Sequence, residues 1–342
     1  MWNHLLFLSK MNNTKKLLSG SISSRRSLNY TQRSVLNKKA KQVSFCVAQS
    51  FEYFRAADSV STATSPLLYY YGMLSLAKSL IVANQETVFL EDVNYHGLAR
   101  RPKDTQISNY DNRPELWTIE KEYALTREDG VFPQLKELLT GSRYPDLSTF
   151  VLKDLLAVIP EISQMFEKYY GKESQVLYLY RFTERSKTPY EIQICIREKD
   201  EQKIFKRIPE LKKDFTMHTG LLHDQARIFT SKNLTNFPEY MGLYHSVFGG
   251  RYVVGGLKYR IGDTRFSEYL PPALVDYIAV FILSECVRYK QDLWGEVIEG
   301  KKSGTLGLIQ LYISVIKRRF PNLILNELFG EPFGYGSPAR LV

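Results

Sequence analysis

The feature that most constrains this chain is residues 65–83, SPLLYYYGMLSLAKSLIVA. Ser followed by Pro at the first helical position is a helix start. Beyond it the apolar residues do not keep to one stripe but run nearly all round the helix, broken by Lys78. A helix of that kind is buried on every side and lies at the centre of a core that other elements must build. Gly72 within it costs about 1 kcal/mol relative to Ala, and close approach of a neighbouring helix accounts for it. Residues 273–289, after Pro271-Pro272, have the same character. Each of these two helices needs an apolar partner, so they are expected to pack on each other.

The remaining pattern places helices at both ends and strands between. Residues 3–9 read as a short amphipathic helix, and 19–35, rich in Ser, Arg and Asn, as a loop. Ser44 is a plausible N-cap for a helix carrying Phe45, Ala48, Phe51, Phe54 and Ala57. Residues 92–118 are loop-rich, and short helices are expected over 134–140, 147–158 and 161–170, the last stopping at Gly171. Aromatic and β-branched runs at 175–182 and 190–198 then read as a strand pair, with 203–208 as a third strand. Gly255-Gly256 signals a second hairpin within 250–261. A final helix over 306–319 carries Lys317, Arg318 and Arg319 in its last turn and ends before Pro321. The expected fold is α+β and mostly helical. An N-terminal helical part (1–174) and a C-terminal helical part (269–342) co-fold around a β-rich middle (175–268).

Of 342 residues, 44% are hydrophobic and 24% charged, enough apolar content to bury a sizeable core. The most apolar runs fall short of the ~20 residues that a bilayer span requires, so no membrane partner is expected. Cys46, Cys195 and Cys286 are odd in number and widely spaced. That excludes a CxxC-type zinc ribbon and fits buried thiols in a reducing cytoplasm.

The net charge of +10 is unevenly placed. Residues 1–51 hold no Asp or Glu and nine Lys or Arg, which leaves the rest of the chain near neutrality. The basic segment admits three readings: an organellar transit peptide, an electrostatic footprint for nucleic acid, or an ordinary solvated surface. The nucleic-acid candidates are Arg25, Arg26, Lys38, Lys39 and Lys41. A second basic cluster, Arg251, Lys258, Arg260 and Arg265, is interleaved with aromatic residues including Tyr259. Such interleaving suits single strands, where bases stack and phosphates pair; a hairpin with one wet basic face is the competing reading.

Catalytic motifs are missing. There is no GxxxxGK[ST], GxSxG or HExxH. His218 and His223 are five apart and share no helix face, so no metal site and no cofactor are expected. His96, in NYHGLARR, is the one weak catalytic candidate, an acid, base or phosphate contact beside Arg100 and Arg101. Arg288, at the end of an apolar helix, reads as a residue that neutralises the helix terminus or pairs with an acid.

Several stretches together resemble the YaaC-like family: AQSFEYFRAAD, then TSPLLYYYGMLSLAKSLI, HGL at 96–98, DGVFPQL, VIPEI, ILSECVRYKQDLW and FPNLILNELFG, in that order. The resemblance covers nearly the whole chain, with Gln291 or its neighbours standing where that family's pattern has Pro. It implies a bacterial cytoplasmic protein whose basic N-terminal segment belongs to the fold rather than to a transit peptide, and it supplies no reaction. The YYGMLSLAKSLI helix is also similar, more faintly, to helices of the HEPN superfamily. Those nucleases place His four to six residues after Arg, and no such pair occurs here. The leading expectation is therefore a non-enzymatic binding component of a bacterial stress or antiphage system, with nucleic acid as its candidate ligand. The alternatives are an enzyme at His96, such as a nuclease, or a subunit that packs on a protein partner.

Overall fold

The computed structural model describes residues 1–20, 29–100, 118–142, 148–179, 181–185, 191–221, 226–231, 244–245, 252–254, 258–260, 267–301, 305–331 and 333. The fold is mixed α and β, mostly helical, with small antiparallel sheets. The chain divides into two compact units. One comprises residues 1–156, 261–263 and 271–333; the other comprises 157–260, 264–270 and 334–342.

The first unit opens with α1 (Trp2–Leu8), α2 (Met11–Gly20) and the long α3 (Tyr30–Asp58). Helix α3 starts well before Ser44, because Asn29 and Gln32 form a reciprocal capping box. Ser44 lies mid-helix, its hydroxyl donating back to the Lys41 carbonyl. Helix α4 (Ser65–Asn84) folds back antiparallel on α3. It is the one described helix long and apolar enough to cross a membrane, yet 67% of that window is buried inside the fold, as the central helix of a core would be. The expected reason for Gly72 is present: an added Cβ would sit 2.5 Å from the Phe54 ring, and Ser50 Oγ donates to the Gly72 carbonyl at 2.8 Å.

A three-stranded antiparallel sheet follows, built from β1 (Leu98–Ala99), β2 (Tyr123–Thr126) and β3 (Thr149–Val151), with α5 (Val131–Thr140) between the last two strands. Helix α6 (Leu152–Ala157) ends this part of the chain.

The second unit holds α7 (Ser163–Tyr170), β4 (Leu177–Tyr178), β5 (Arg181–Arg185), β6 (Glu191–Arg197), α8 (Glu198–Arg207), α9 (Glu210–Asp214), β7 (Phe215–Leu221) and β8 (Ala226–Ser231). The order β5-β6-β8-β7 makes one antiparallel sheet, and Ile192, Ile194 and Ile196 on it share a core with Ile204, Ile208 and Leu211. Residues 203–208 are thus not a strand. Acidic residues in the first turn of α8 and basic ones in its last suit the helix dipole, and Ile204 and Ile208, four apart, face the same core.

The unit ends with β9 (Tyr244–His245), β10 (Tyr252–Val254), β11 (Lys258–Arg260) and β12 (Ser267–Tyr269). Gly255-Gly256 lie outside the described residues, and among the described residues β10 and β11 do not pair with each other. Strand β10 pairs with β4 and β9, whereas β11 pairs with β12 in another sheet. Both runs have strand-like composition, and their pairing is decided by tertiary partners that a local turn signal does not encode.

Helices α10 (Pro272–Tyr289), α11 (Gln291–Ile298) and α12 (Thr305–Phe329) complete the first unit. Helix α10 packs directly on α4, and α12 also contacts α4. Trp294 Nε1 donates to the Ala63 carbonyl at 2.8 Å, tying α11 to the start of α4. Helix α12 does not stop at Pro321 but carries it internally. Arg319 is accordingly not a solvated last-turn cation. It is 2% exposed and pairs with the fully buried Asp276 of α10 at 2.5 Å.

Candidate functional site

The core between α4 and α10 is largely apolar and contains a polar inclusion. Tyr70 of α4 and Tyr277 of α10 are both fully buried, and a buried phenol needs a hydrogen-bond partner. Both find theirs in one loop residue. Tyr70 Oη lies 2.9 Å from His96 Nδ1, and Tyr277 Oη donates to the His96 carbonyl at 3.3 Å. The two hydroxyls are 3.4 Å apart. Phe281, one turn beyond Tyr277, packs edge-on to the Tyr70 ring.

The loop is held by the start of α5, whose first amides have no partner within the helix. Val131 N–H donates to the Tyr95 carbonyl at 2.8 Å, and Phe132 N–H to the His96 carbonyl at 3.1 Å. Arg127 N–H donates to the Gly97 carbonyl at 2.9 Å. So close a meeting of two loops needs glycine on both sides. Gly97 (φ +75°) would place a Cβ 2.4 Å from Pro133 Cδ, and Gly130 (φ +115°) would place one 2.5 Å from Gly97 N. His96 is therefore fixed at its backbone and at one ring nitrogen.

The surroundings of that ring are cationic. Arg288, in the last turn of α10, ion-pairs with Glu285 and donates from Nε to the Ser284 carbonyl at 3.4 Å. Burial, then the charges of Arg288 and Lys78, hold the His96 imidazole below its ordinary pKa and so keep it neutral. Burial pushes the Glu285 carboxyl up, against the opposing pull of Arg288 and Arg100. Burial, with Tyr277 alongside, pushes the Tyr70 phenol well above its usual value, so it stays protonated. The charges of Arg288 and Lys78 thus act on His96, and those of Arg288 and Arg100 on Glu285.

Two proton arrangements satisfy the network. The Tyr70 hydroxyl donates to Nδ1, leaving Nε2–H as a donor. Alternatively Nδ1–H donates to Tyr70, which in turn donates to Tyr277, leaving the Nε2 lone pair open. The site can hold an anion in the first state and accept a proton at Nε2 in the second.

The other expected site residues do not join this one. Lys39 is buried, and its ammonium donates to the carbonyls of Val82 and Val88 at 3.0 Å and to that of Gln85. It closes the C-terminal end of α4 and is not a phosphate contact. Lys38 is exposed, ion-paired with Glu91 and placed 4.2 Å over the Phe89 ring; Lys41 is exposed. Lys258, Tyr259 and Arg260 form β11, opposite Tyr269, Glu268 and Ser267 of β12. Arg25, Arg26, Arg251 and Arg265 lie outside the described residues, as do Arg101 and His223. His218 Nε2 sits 2.7 Å from Thr230 Oγ1 across β7 and β8. The three cysteines are buried and not joined in disulfides.

Sequence reasoning singled out His96 but missed Tyr70, Tyr277 and Glu285, and read Arg288 as purely structural. The available signal was tyrosine within helices apolar on every side, since a phenol buried there obliges a polar partner.

The YaaC-like protein family model matches residues 6–328, nearly the whole chain. The chain belongs to the YaaC-like family. No curated protein and no solved structure matched it. The stretches that carry the family resemblance, YYGM, HGL, DGVFP and the RY of α10, are the ones that converge here. Tyr70, His96, Phe132 and Arg288 come one from each.

Proposed function

We propose that this YaaC-like protein is a binding component whose ligand carries a phosphate or similar anion, held at His96 with Arg288 and Arg100. The observation that supports this reading is a neutral imidazole pinned through Nδ1 by Tyr70, with the charges of Arg288 and Lys78 acting on it. A fixed donor beside a planar guanidinium recognises an oxyanion without reorganising. Isothermal titration of the full chain with inorganic phosphate, pyrophosphate and ADP tests it. Saturable binding is expected for at least one of them, weakened about tenfold or more in His96→Gln and in Arg288→Lys, since hydrogen bonds to charged groups are worth ~1.5–3 kcal/mol. Binding to none, or binding indifferent to both variants, defeats the reading.

A catalytic role draws on one further feature. With Nδ1 on Tyr70, Nε2 is left for proton transfer, the usual division of labour in an acid–base histidine. Turnover of a phosphate ester that vanishes in His96→Gln while binding of the product persists would favour an enzyme. A nucleic-acid ligand has a narrower basis, the exposed Arg33 and Lys41 in the part of α3 that precedes Glu52. It predicts affinity for oligonucleotides that falls steeply with salt and shallows in Arg33→Ala/Lys41→Ala.

A further inference from the structure

Helix α4 carries a second polar feature on the face turned to α3. Tyr71, Leu74, Ser75 and Lys78 follow the i, i+3, i+4, i+7 spacing of one helix face, and Cys46, Gln49 and Tyr53 share a face of α3. With Leu90 they line a cleft of about 140 Å³. A cavity of roughly 150 Å³ holds one benzene ring, so the cleft has room for a single ring. One wall is aromatic: the Tyr53 and Tyr71 rings stack at 5.7 Å with a 27° tilt. Ser75 Oγ donates to Gln49 Oε1 at 3.0 Å, which orients the amide and leaves its NH₂ as the donating end.

Lys78 sets this cleft apart. Several other buried or half-buried lysines of the first unit are engaged: Lys39 with three carbonyls, Lys136 with Ser142, Lys290 with Glu122 and Lys317 with Asp58. Lys78 is half-buried, yet among the described residues its ammonium has no hydrogen bond and no ion pair. A partly desolvated cation without a counter-charge is costly, and an arriving anion relieves that cost.

We propose that this cleft binds a small molecule consisting of one aromatic ring with one anionic group, the ring against Tyr53 and Tyr71 and the anion on Lys78 Nζ and the Gln49 amide. The cleft is lined by none of Tyr70, His96 and Tyr277, and Lys78 reaches the His96 ring only through its charge. The test uses ¹⁹F NMR of the full chain with 4-fluorobenzoate and, as the neutral counterpart, 4-fluorobenzyl alcohol. The acid binds saturably and the alcohol about tenfold or more weakly, the difference a charge-assisted contact supplies. Lys78→Gln lowers the acid to the affinity of the alcohol, and Lys78→Arg restores part of the preference. Because Lys78 makes no bond to a described residue, both variants keep the wild-type circular dichroism spectrum. Tyr71→Leu weakens acid and alcohol alike. Saturating inorganic phosphate does not displace the acid, whether or not phosphate occupies the His96 site. Absence of saturable binding by the wild type, equal affinity for acid and alcohol, or displacement by phosphate overturns the proposal.

Discussion

Lys39 offers a sharp test, because two accounts of it make opposite predictions. As a surface cation in an acid-free segment it would contact phosphate. In the structure its ammonium is buried against the end of α4, donating to the carbonyls of Val82, Gln85 and Val88. Helix α4 ends at Asn84, so the Val82 carbonyl is one of the last-turn acceptors with no amide to bond. Lys39→Met keeps much of the stem's packing and removes all three donated bonds. A buried acceptor left without a partner costs ~1–3 kcal/mol. Allowing water to reach some of these carbonyls, and crediting the desolvation of the ammonium that is no longer required, the net loss is about 2–4 kcal/mol. In a unit of this size that lowers the thermal midpoint by about 5–10 °C. Differential scanning calorimetry reads the midpoint, and oligonucleotide binding well below it reads the other account. An unchanged midpoint would refute the reasoning. So would a variant that stays folded yet loses one phosphate contact from its salt dependence.

Three further predictions rest on single contacts. Gly72→Ala drives a methyl into the Phe54 ring, which Trp2 and Tyr69 already hold, and is expected to cost ~1–3 kcal/mol in urea unfolding; an unchanged midpoint contradicts that packing. Arg319→Met leaves the fully buried Asp276 without its ion-pair partner and is expected to cost ~3–5 kcal/mol, whereas Arg318→Met, beside it, should change stability by less than ~0.5 kcal/mol; equal effects would place Arg319 on the surface. His96 has a depressed pKa when folded, so the unfolded chain binds the proton more readily, and its contribution is present above pH 6.5 and lost as pH falls below that value. Between pH 7 and pH 5 the thermal midpoint of the wild type should drop further than that of His96→Gln, and parallel curves would show that His96 titrates normally.

The sequence by itself determined the most buried parts of this protein. A helix apolar on every side has one physical solution, burial at a centre, and two such helices in one chain satisfy each other; α4 and α10 do so. Gly72 was legible for the same reason, since glycine inside a core helix marks close approach. Local signals failed where a partner distant in sequence decides. At the start of α3 one local signal lost to another, the Asn29–Gln32 capping box lying ahead of Ser44. The β10 and β11 runs chose different sheets although a glycine pair joins them, and Pro321 was absorbed into a helix that packing sustains. The candidate site depended on tertiary structure still more. Tyr70, His96, Phe132 and Arg288 are spread over more than two hundred positions, and each has an ordinary reading alone. Charge was misleading in the same way. A lysine's formal charge is written in the sequence, but whether it meets solvent, like Lys41, or three carbonyls, like Lys39, depends on which helix end folding brings beside it.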